Sequence, residues 1–273
     1  MSPWQVLRRL ALWAFAGVTV GIPLWLVLVN GAKSYAEAQD LSLRLPRKWQ
    51  LGANLSTVFT EGAVLRGFVN SCLVTVPALL LLLFFGAMAA WVFGRGRRRG
   101  VRALYYLAIS GILLPPAIVT TLRVLGSFGL DGTRRGAVLF YAGAYMSLSI
   151  FLMTGFVKAI PYEMEESARL DGCSALSVFL RIVLPALRPV LLTTGVFLAL
   201  QIWNDFFYAF FLLRGSERQS LPLGLFSFVS GNQYRTNWHL IFAHIVVVSA
   251  PLVMTYLVAQ KRIVAGLLSG SVK

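Results

Sequence analysis

The sequence predicts an all-α integral membrane protein with six transmembrane helices, and three observations carry this prediction. The chain of 273 residues is 58% hydrophobic and only 13% charged, whereas soluble domains usually carry about 25% charged residues. Its mean hydropathy is +0.73. Its apolar residues gather into six runs, each close to the roughly 20 residues that a helix needs to cross a bilayer.

The six runs predict helices rather than strands, because in lipid every backbone polar group must pair within its own segment. The third run is interrupted by Pro115 and Pro116. The first run follows Arg8 and Arg9 but is too long for a signal peptide, so we expect it to stay as an anchor. One transmembrane domain then covers residues 1–273. The predicted spans are residues 10–29, 71–93, 103–122, 137–157, 190–213 and 238–260.

The charge distribution predicts how the chain sits in the membrane. The net charge is +15, and the basic residues lie beside apolar runs, which favours an anionic membrane surface over nucleic acid. No nucleic-acid-binding motif is present in the sequence. Five arginines crowd residues 95–102, just after the second span, and such density is typical of a cytoplasmic loop. With six spans, both termini and residues 158–189 are then cytoplasmic as well.

Residues 158–189, between the fourth and fifth spans, predict a short helix on the cytoplasmic face. Pro161 suits the first helical position, where its missing N–H costs nothing. Acidic residues crowd the next turns, where the helix dipole favours negative charge. These acidic residues are Glu163, Glu165 and Glu166.

The rest of the segment predicts a turn and a second helix, and a solvated loop is the alternative. Glu165 precedes Arg169 by four residues, the favourable order for a helical ion pair. Gly172 suits the position after the helix, where φ is often positive. Ser174 or Ser177 would then cap a helix that runs toward Pro185.

The spacing within this segment resembles the signature loop of ABC-importer permeases. That family pattern is Glu-Ala-Ala, three residues, Gly, nine residues, Ile, one residue and Leu-Pro. Here Glu166-Ser167-Ala168 is followed at the same spacings by Gly172, Ile182 and Leu184-Pro185. The one departure is Ser167 in place of the middle alanine, which exchanges one small residue for another.

Further segments are similar to the smaller, six-span permease subunit of carbohydrate importers of the maltose type. The resemblance covers about residues 10–273 and is strongest after residue 150. The segments that carry it are residues 165–172, 181–191, Trp203-Asn204-Asp205, Leu221-Pro222-Leu223-Gly224-Leu225 and 261–273.

The resemblance implies that the helix–turn–helix is a coupling helix that docks in a cleft of an ATP-binding subunit. It also implies three partners: a second, larger permease subunit, a dimer of ATP-binding subunits and an extracytoplasmic solute-binding protein. The tail, about Gly266–Lys273, would reach between the ATP-binding subunits. The residues expected to couple this chain to the ATPase are Glu165, Glu166, Ser167, Ala168, Arg169, Asp171 and Gly172.

The sequence predicts no catalysis by this chain. It lacks the GxxxxGK[ST] loop that cradles nucleotide phosphates, so ATP and Mg²⁺ are expected in a partner subunit. No nucleophile with a nearby base is recognisable. Two cysteines and two histidines, without acidic neighbours at ligand spacing, predict neither a disulfide nor a metal site.

Polar residues inside the spans are candidates for the substrate path, because intramembrane polar groups are costly. Gln201, Asp205 and Tyr208 share one face of a continuous fifth helix. Aromatic and polar groups on one face suit a sugar, although they could equally join helices through hydrogen bonds. Tyr145 belongs to a similar stripe, with Tyr141 and Ser149, in the fourth span. The candidate set is Gln201, Trp203, Asn204, Asp205, Tyr208 and Tyr145.

Two other functions compete with an importer subunit. A stand-alone secondary transporter or channel would need buried coupling groups, and the spans offer little beyond Asp205. A membrane-embedded enzyme would need a clustered acidic or metal motif. The extracytoplasmic loops, residues 31–67 and 214–237, are the expected docking surface for a binding protein, whereas the sugar itself is not identified by the sequence.

Overall fold

The computed structural model describes residues 3–230 and 236–269, and within these ranges every regular element is helical. The all-α class is therefore confirmed for the described residues. A π-helical segment, Gly17–Gly21, joins the first two helices, and another, Phe179–Val183, joins the tenth and eleventh. The α-helices are α1 (Pro3–Ala16), α2 (Ile22–Gly31), α3 (Tyr35–Ala38), α4 (Leu51–Glu61), α5 (Val64–Arg95), α6 (Arg99–Ser110), α7 (Ile118–Ser127), α8 (Arg134–Ala159), α9 (Glu163–Leu170), α10 (Ala175–Val178), α11 (Leu184–Ala186), α12 (Arg188–Asn204), α13 (Phe207–Leu212), α14 (Leu221–Ser230) and α15 (Trp238–Ser269).

Three helical stretches of the described residues are long and apolar enough to cross a membrane. They are Trp4–Gly31, Val64–Arg95 and Arg134–Ala159, and they enclose the predicted first, second and fourth spans. A fourth candidate is the pair Ala175–Ala186 and Arg188–Asn204, which is bent by 74° at its break. The several apolar helices agree with a multi-pass protein, while the count of six spans stays a prediction.

The third predicted span, residues 103–122, is interrupted near its two prolines, as the sequence predicts. Helix α6 ends at Ser110 and α7 begins only at Ile118. Pro115 and Pro116 explain the gap, because proline lacks the N–H that a helix needs and disfavours helical conformation in the residue before it. The apolar run is therefore two short helices joined by a non-helical segment.

The fifth predicted span, residues 190–213, is also broken. Helix α12 ends at Asn204, Asp205 is extended (φ −69°, ψ 118°), and α13 begins at Phe207. The Asp205 carboxylate explains the break, because it accepts hydrogen bonds from the backbone N–H groups of Tyr208 and Ala209. A short acidic side chain that captures backbone donors in this way competes with helix continuation. The single face predicted for Gln201, Asp205 and Tyr208 is therefore wrong.

Two compact units are formed by the chain, and the first consists of Met1–Phe68 and Leu221–Val253. Within it, the buried Lys33 ammonium donates hydrogen bonds to Asn30 Oδ1 at 2.9 Å and to the Ser42 carbonyl at 2.6 Å. Asn54 of α4 donates to the carbonyls of Gly31 and Lys33. These bonds hold the predicted extracytoplasmic segment, residues 31–67, against the end of α2.

The second unit consists of Val69–Ser220 and Met254–Lys273, and close contact between α5 and α8 runs through it. A Cβ at Gly94 would lie only 2.6 Å from Val157 Cγ1, and one at Gly86 would meet the Ser149 hydroxyl. Ser149 donates a hydrogen bond to the Leu82 carbonyl at 2.8 Å. Ser149, a member of the predicted tyrosine stripe, thus joins two helices.

Polar contacts gather at both ends of α5 within this second unit. At one end, Asn70 donates to the carbonyls of Glu217 and Gln219, each at 2.9 Å. At the other end, Arg95 binds Glu165. From Asn70 to Arg95, helix α5 rises by 25 residue steps, about 38 Å at 1.5 Å per step. This length exceeds the roughly 30 Å hydrocarbon thickness of a bilayer.

Candidate functional site

Helix α9 is a short helix that ends in a glycine turn, as its sequence predicts. It runs from Glu163 to Leu170, and Gly172 follows with φ +81°. The N–H of Cys173 bonds to the Ala168 carbonyl and that of Gly172 to the Arg169 carbonyl, both at 3.0 Å. This pair of bonds is the Schellman motif, which satisfies the last carbonyls of a helix and requires a left-handed residue at the glycine position.

The two ends of the helix–turn–helix differ in detail from the sequence prediction. Pro161 lies outside α9, because Tyr162 occupies the N-cap position and the helix begins at Glu163. Of the two candidate caps for the next helix, Ser174 is the one used. Its hydroxyl accepts a hydrogen bond from the Ser177 N–H at 3.3 Å, which satisfies a free donor of the first turn.

Glu165 is the most buried charged group of this segment, and its partner is not the predicted Arg169. Its side chain is 0% exposed, and Oε1 accepts a hydrogen bond from Arg95 Nε at 2.8 Å and lies 2.8 Å from Arg95 Nη2 in an ion pair. Oε2 accepts from Trp91 Nε1 at 2.9 Å. Both Arg95 and Trp91 belong to the last turns of α5. The predicted i,i+4 ion pair between Glu165 and Arg169 is therefore wrong, because the carboxylate binds Arg95 of α5 instead.

The helix–turn–helix rests on an apolar cluster between α5, α8 and the start of α12. Ala168 supplies the one apolar side chain of α9 that is buried there, and its small size lets α9 lie close to the cluster. Phe179, in the π-helical segment, stacks on Trp91 with ring centroids 5.7 Å apart. The same indole that binds Glu165 is therefore held in place by packing.

The opposite face of α9 is exposed and carries apolar side chains. Leu170 is 84% exposed and Met164 is 49% exposed, and Ser167 lies between them at helical spacing. Glu166, Arg169, Asp171 and Gly172 are exposed as well. A short helix that presents methionine and leucine beside charged groups has the character of a docking surface for another protein. We call Met164, Ser167 and Leu170 the exposed face of α9.

A second polar centre surrounds Asp205, at the break between α12 and α13. Tyr141 of α8 donates its hydroxyl to Asp205 Oδ2 at 2.6 Å, and the Tyr145 ring stacks parallel to the Tyr141 ring, with a 4° interplanar angle. The Tyr208 ring lies 4.9 Å from that of Phe140. The structure thus brings two predicted candidates, Tyr145 and Tyr208, to the same region as Asp205.

A cavity of about 200 Å³ opens beside this centre. Its wall combines aromatic rings with the proline segment that interrupts the third apolar run. Flat apolar rings edged by tyrosine hydroxyls suit the ring faces and hydroxyl edges of a sugar. The lining residues that matter here are Phe140, Tyr145, Tyr208, Pro115 and Pro116.

Comparison with known proteins decides the family. Residues 65–268 match the family described as "Binding-protein-dependent transport system inner membrane component". The chain belongs to this family. It is therefore an integral inner-membrane permease component of a binding-protein-dependent importer, and the family is one of transport rather than catalysis.

Two bacterial sugar-uptake permeases are similar to this permease over nearly all of its length. It is 31% identical to the diacetylchitobiose uptake system permease protein NgcG of Streptomyces coelicolor, over 96% of this chain and 86% of the relative. It is 32% identical to the melibiose/raffinose/stachyose import permease protein MelC of Bacillus subtilis, over 92% and 91%. In both alignments the match extends through α9.

Solved structures share the fold of this permease. A bacterial ABC transporter involved in the import of the acidic polysaccharide alginate matches with a TM-score of 0.82 and 22% identity, covering 94% of this chain and 95% of that one. A second structure of an alginate ABC transporter, in complex with an alginate pentasaccharide-bound periplasmic protein, matches with a TM-score of 0.67 and 13% identity, over 95% of each chain.

The candidate residues of the permease separate into groups by position. In α9, Glu165 and Ala168 face the interior of the unit, while the other predicted coupling residues are exposed. In α12, Trp203 is buried, whereas Gln201 and Asn204 are exposed. The Asn204 amide donates to the Leu200 carbonyl, and among the described residues no side-chain hydrogen bond joins either of them to the Asp205 carboxylate. The predicted tail contact, about Gly266–Lys273, lies partly outside the described residues, as do residues 231–235 of the loop 214–237.

Sequence reasoning missed three residues that the structure places at these sites. Met164 and Leu170 are exposed apolar residues that lie at least seven residues from any predicted span, and their spacing on one face of α9 is the available signal. Arg95 is one of the five arginines whose density predicts a cytoplasmic loop, and the sequence indicates no further role for it. No local pattern distinguishes it from the arginines that follow, because its partner lies 70 residues away.

Proposed function

We propose that this permease is the smaller of two permease subunits of an ATP-driven carbohydrate importer of the maltose type. The relatives are uptake permeases for diacetylchitobiose and for melibiose, raffinose and stachyose, which supports a sugar or sugar-like solute for this permease. In this proposal a separate dimer of ATP-binding subunits binds ATP and Mg²⁺. This chain then forms half of the translocation path and couples it to that dimer.

The observation that carries the proposal is that α9 is anchored to its own chain on one side and leaves its other side, the exposed face of α9, uncovered. Leu170 is 84% exposed, although α9 is anchored on its other side by Glu165 and Ala168. An apolar helix face that its own chain leaves uncovered gains free energy when a partner groove buries it. We infer that Met164 and Leu170 insert into the cleft of the ATP-binding subunit, with Glu166 and Arg169 making charged contacts around them.

The helix–turn–helix between α8 and α12, which we call the elbow, continues after α9 toward α12. Its second half suggests how motion of α9 would reach the membrane. Gly172 and the cap at Ser174 fix a tight turn, and a π-helical segment and a 74° bend then lead into α12. Single-turn π-helical segments within helices occur frequently at functional sites. Closure of the ATP-binding dimer would displace α9, and α12 would follow and change access to a site near the bilayer midplane.

We place the substrate path of this subunit beside Asp205. Three features support it: the tyrosines that surround the carboxylate, the broken helix and the adjacent cavity of about 200 Å³. Broken helices that line a cavity are typical of binding sites in transporters. Tyr145 and Tyr208 are the side chains expected to touch a sugar, while Asp205 positions Tyr141 and the start of α13.

The orientation completes the proposal. Both termini and α9 would be cytoplasmic, and the loop after α13 would be extracytoplasmic, where a solute-binding protein docks. The arginine-rich loop 95–102 supports this orientation. The contact between Arg95 and Glu165 adds that this loop and α9 lie at the same end of the second unit.

The experiment that tests this function is affinity purification of the tagged permease from its native membrane in mild detergent, with mass spectrometry of the co-purified proteins. We expect an ATP-binding subunit, a second permease and, after cross-linking, a solute-binding protein, whose bound ligands then identify the sugar. Recovery of only further copies of this chain would contradict the proposal and favour a stand-alone carrier.

A matched pair of variants tests the docking surface directly. Leu170→Glu places a charge where burial is expected and should reduce the co-purified ATP-binding subunit at least about tenfold, a change that corresponds to about 1.4 kcal/mol. Leu170→Met keeps the apolar surface and should retain the subunit. Equal recovery with both variants would show that α9 does not dock through this face.

A further inference from the structure

Arg95 stands apart from the other arginines of its loop. Its side chain is 17% exposed, whereas Arg97, Arg98, Arg99 and Arg102 are all exposed to solvent. The exposed arginines suit the positive-inside charge balance. A partly buried guanidinium with fixed partners has a different role, because burial of a charge is tolerated only when the charge is paired.

Arg95 joins three elements of the second unit. Its guanidinium binds Glu165 of α9, donates from Nη2 to the Ile160 carbonyl at 2.8 Å, and lies 5.6 Å from the centre of the Tyr162 ring. Ile160 caps the C-terminus of α8, where free carbonyls and the helix dipole favour a cation. Arg95 itself belongs to α5, so one side chain ties α5 to the end of α8 and to α9.

The link to α5 is the principal anchor of α9. Only Glu165 and Ala168 of its eight residues are buried, and the alanine side chain offers little contact area. Both oxygens of the Glu165 carboxylate are occupied, one by Arg95 and the other by Trp91. A buried carboxylate left without its cation is strongly unfavourable, and therefore α9 cannot separate from α5 without replacing these bonds.

We propose that Arg95 is a positioning residue that makes α9 and the cytoplasmic end of α5 move as one body during transport. The proposal rests on the proposed function of α9 as the coupling helix. The covalent neighbours of α9 meet it through the bend at residues 160–162 and the turn at Gly172. The Arg95–Glu165 link adds a third connection, so that displacement of α9 is transmitted to α5 as well as to α8 and α12.

The first test measures coupling in the assembled importer, reconstituted in proteoliposomes, as solute taken up per ATP hydrolysed. Arg95→Gln removes the cation and should lower this ratio at least about tenfold while ATP hydrolysis continues. Arg98 is an exposed arginine of the same loop, and Arg98→Gln should leave the ratio unchanged. Arg95→Lys keeps the charge but lacks the second nitrogen that donates to the Ile160 carbonyl. Its ratio should lie between those of Arg95→Gln and the unmodified importer. An unchanged ratio in Arg95→Gln would overturn the proposal.

The second test leaves Arg95 and Glu165 intact, so it does not depend on whether their variants fold. Spin labels are attached at Val92→Cys on α5 and Glu163→Cys on α9, both exposed positions, after Cys72 and Cys173 are replaced by serine. The distance between the labels should be the same without nucleotide and with ATP bound. A distance that changes between these states would show that α9 moves independently of α5 and would overturn the proposal.

A third measurement separates failure of this proposal from failure of the coupling function. Leu170→Cys is cross-linked to the ATP-binding subunit in the otherwise unmodified importer. If that cross-link forms while the label distance changes, α9 docks but is not tied to α5, and only the role of Arg95 is lost. If no cross-link forms, the proposed function of α9 fails and the role of Arg95 in coupling fails with it.

Discussion

Gly172 is the residue on which the elbow turn depends. Its φ of +81° lies in the left-handed region, and a Cβ there would meet nothing within 4 Å. Backbone strain, not space, therefore limits substitution. A β-branched residue at this position should destabilise the turn by roughly 1–2 kcal/mol, whereas asparagine tolerates the left-handed conformation.

We expect Gly172→Val to lower solute uptake at least several-fold and Gly172→Asn to preserve most of it, measured in proteoliposomes with equal amounts of assembled importer. Because a Cβ at this position meets nothing within 4 Å, the comparison reports mainly the backbone conformation. Loss of uptake by the same factor in both variants would mean that the glycine is required for contact with a partner rather than for its conformation.

Asp205 is a residue whose structural and transport roles are separable. Its carboxylate holds the Tyr141 hydroxyl and the first N–H groups of α13, a cap of the kind that contributes about 0.5–2 kcal/mol. Asp205→Leu should lower the midpoint of thermal unfolding in detergent, and Asp205→Asn, which retains one acceptor oxygen, should lower it less. If Asp205→Leu unfolds at the unmodified temperature yet loses uptake, the carboxylate acts on solute instead.

At the scale of elements, the contact between α5 and α8 depends on glycines. A Cβ at Gly94 of α5 would lie 2.6 Å from Cγ1 of Val157 on α8. A Cβ at Gly155, which lies on α8, would meet nothing within 4 Å. Gly94→Leu should therefore force α5 and α8 apart and lower the free energy of unfolding by about 1–3 kcal/mol. Adding Val157→Ala makes room for the leucine and should restore part of the lost stability.

The matched control is Gly155→Leu, the same substitution on a free face of α8. It should leave the thermal midpoint unchanged or slightly higher, because leucine has the better helix propensity. Thermal unfolding of the purified permease in detergent checks all three variants. If Gly155→Leu is as damaging as Gly94→Leu, the loss of stability does not come from the close contact between α5 and α8.

At the scale of the whole molecule, the testable property is its orientation in the membrane. Arg98 and Ser216 are exposed residues in two different loops of the second unit. In a background without Cys72 and Cys173, Ser216→Cys should react with a membrane-impermeant maleimide added to spheroplasts. Arg98→Cys should react only after the membrane is permeabilised. The reversed pattern would place α9 outside the cytoplasm and contradict coupling to an ATPase.

Several features of this protein followed from sequence alone because they depend on local chemistry. Apolar runs of about 20 residues identified helices α5 and α8, since a bilayer-spanning segment must satisfy its own backbone. The glycine and serine signals of the elbow also held: Gly172 has positive φ and Ser174 caps the next helix. Such signals are readable because turns and caps are decided by the residues that form them.

The tertiary structure alone decided which partner each polar group takes. Glu165 has Arg169 at favourable spacing, yet it pairs with Arg95, because a charge-assisted hydrogen bond to a partly buried guanidinium outcompetes an ion pair with a solvated neighbour. Asp205 fits one continuous helix face in the sequence, yet its carboxylate captures the N–H groups of the next helix and breaks the span. The partner of Glu165 lies 70 residues away, and Tyr141, which also binds the Asp205 carboxylate, lies 64 residues away. Contacts between such distant parts of the chain leave no periodic trace in the sequence, and so these partners required the fold.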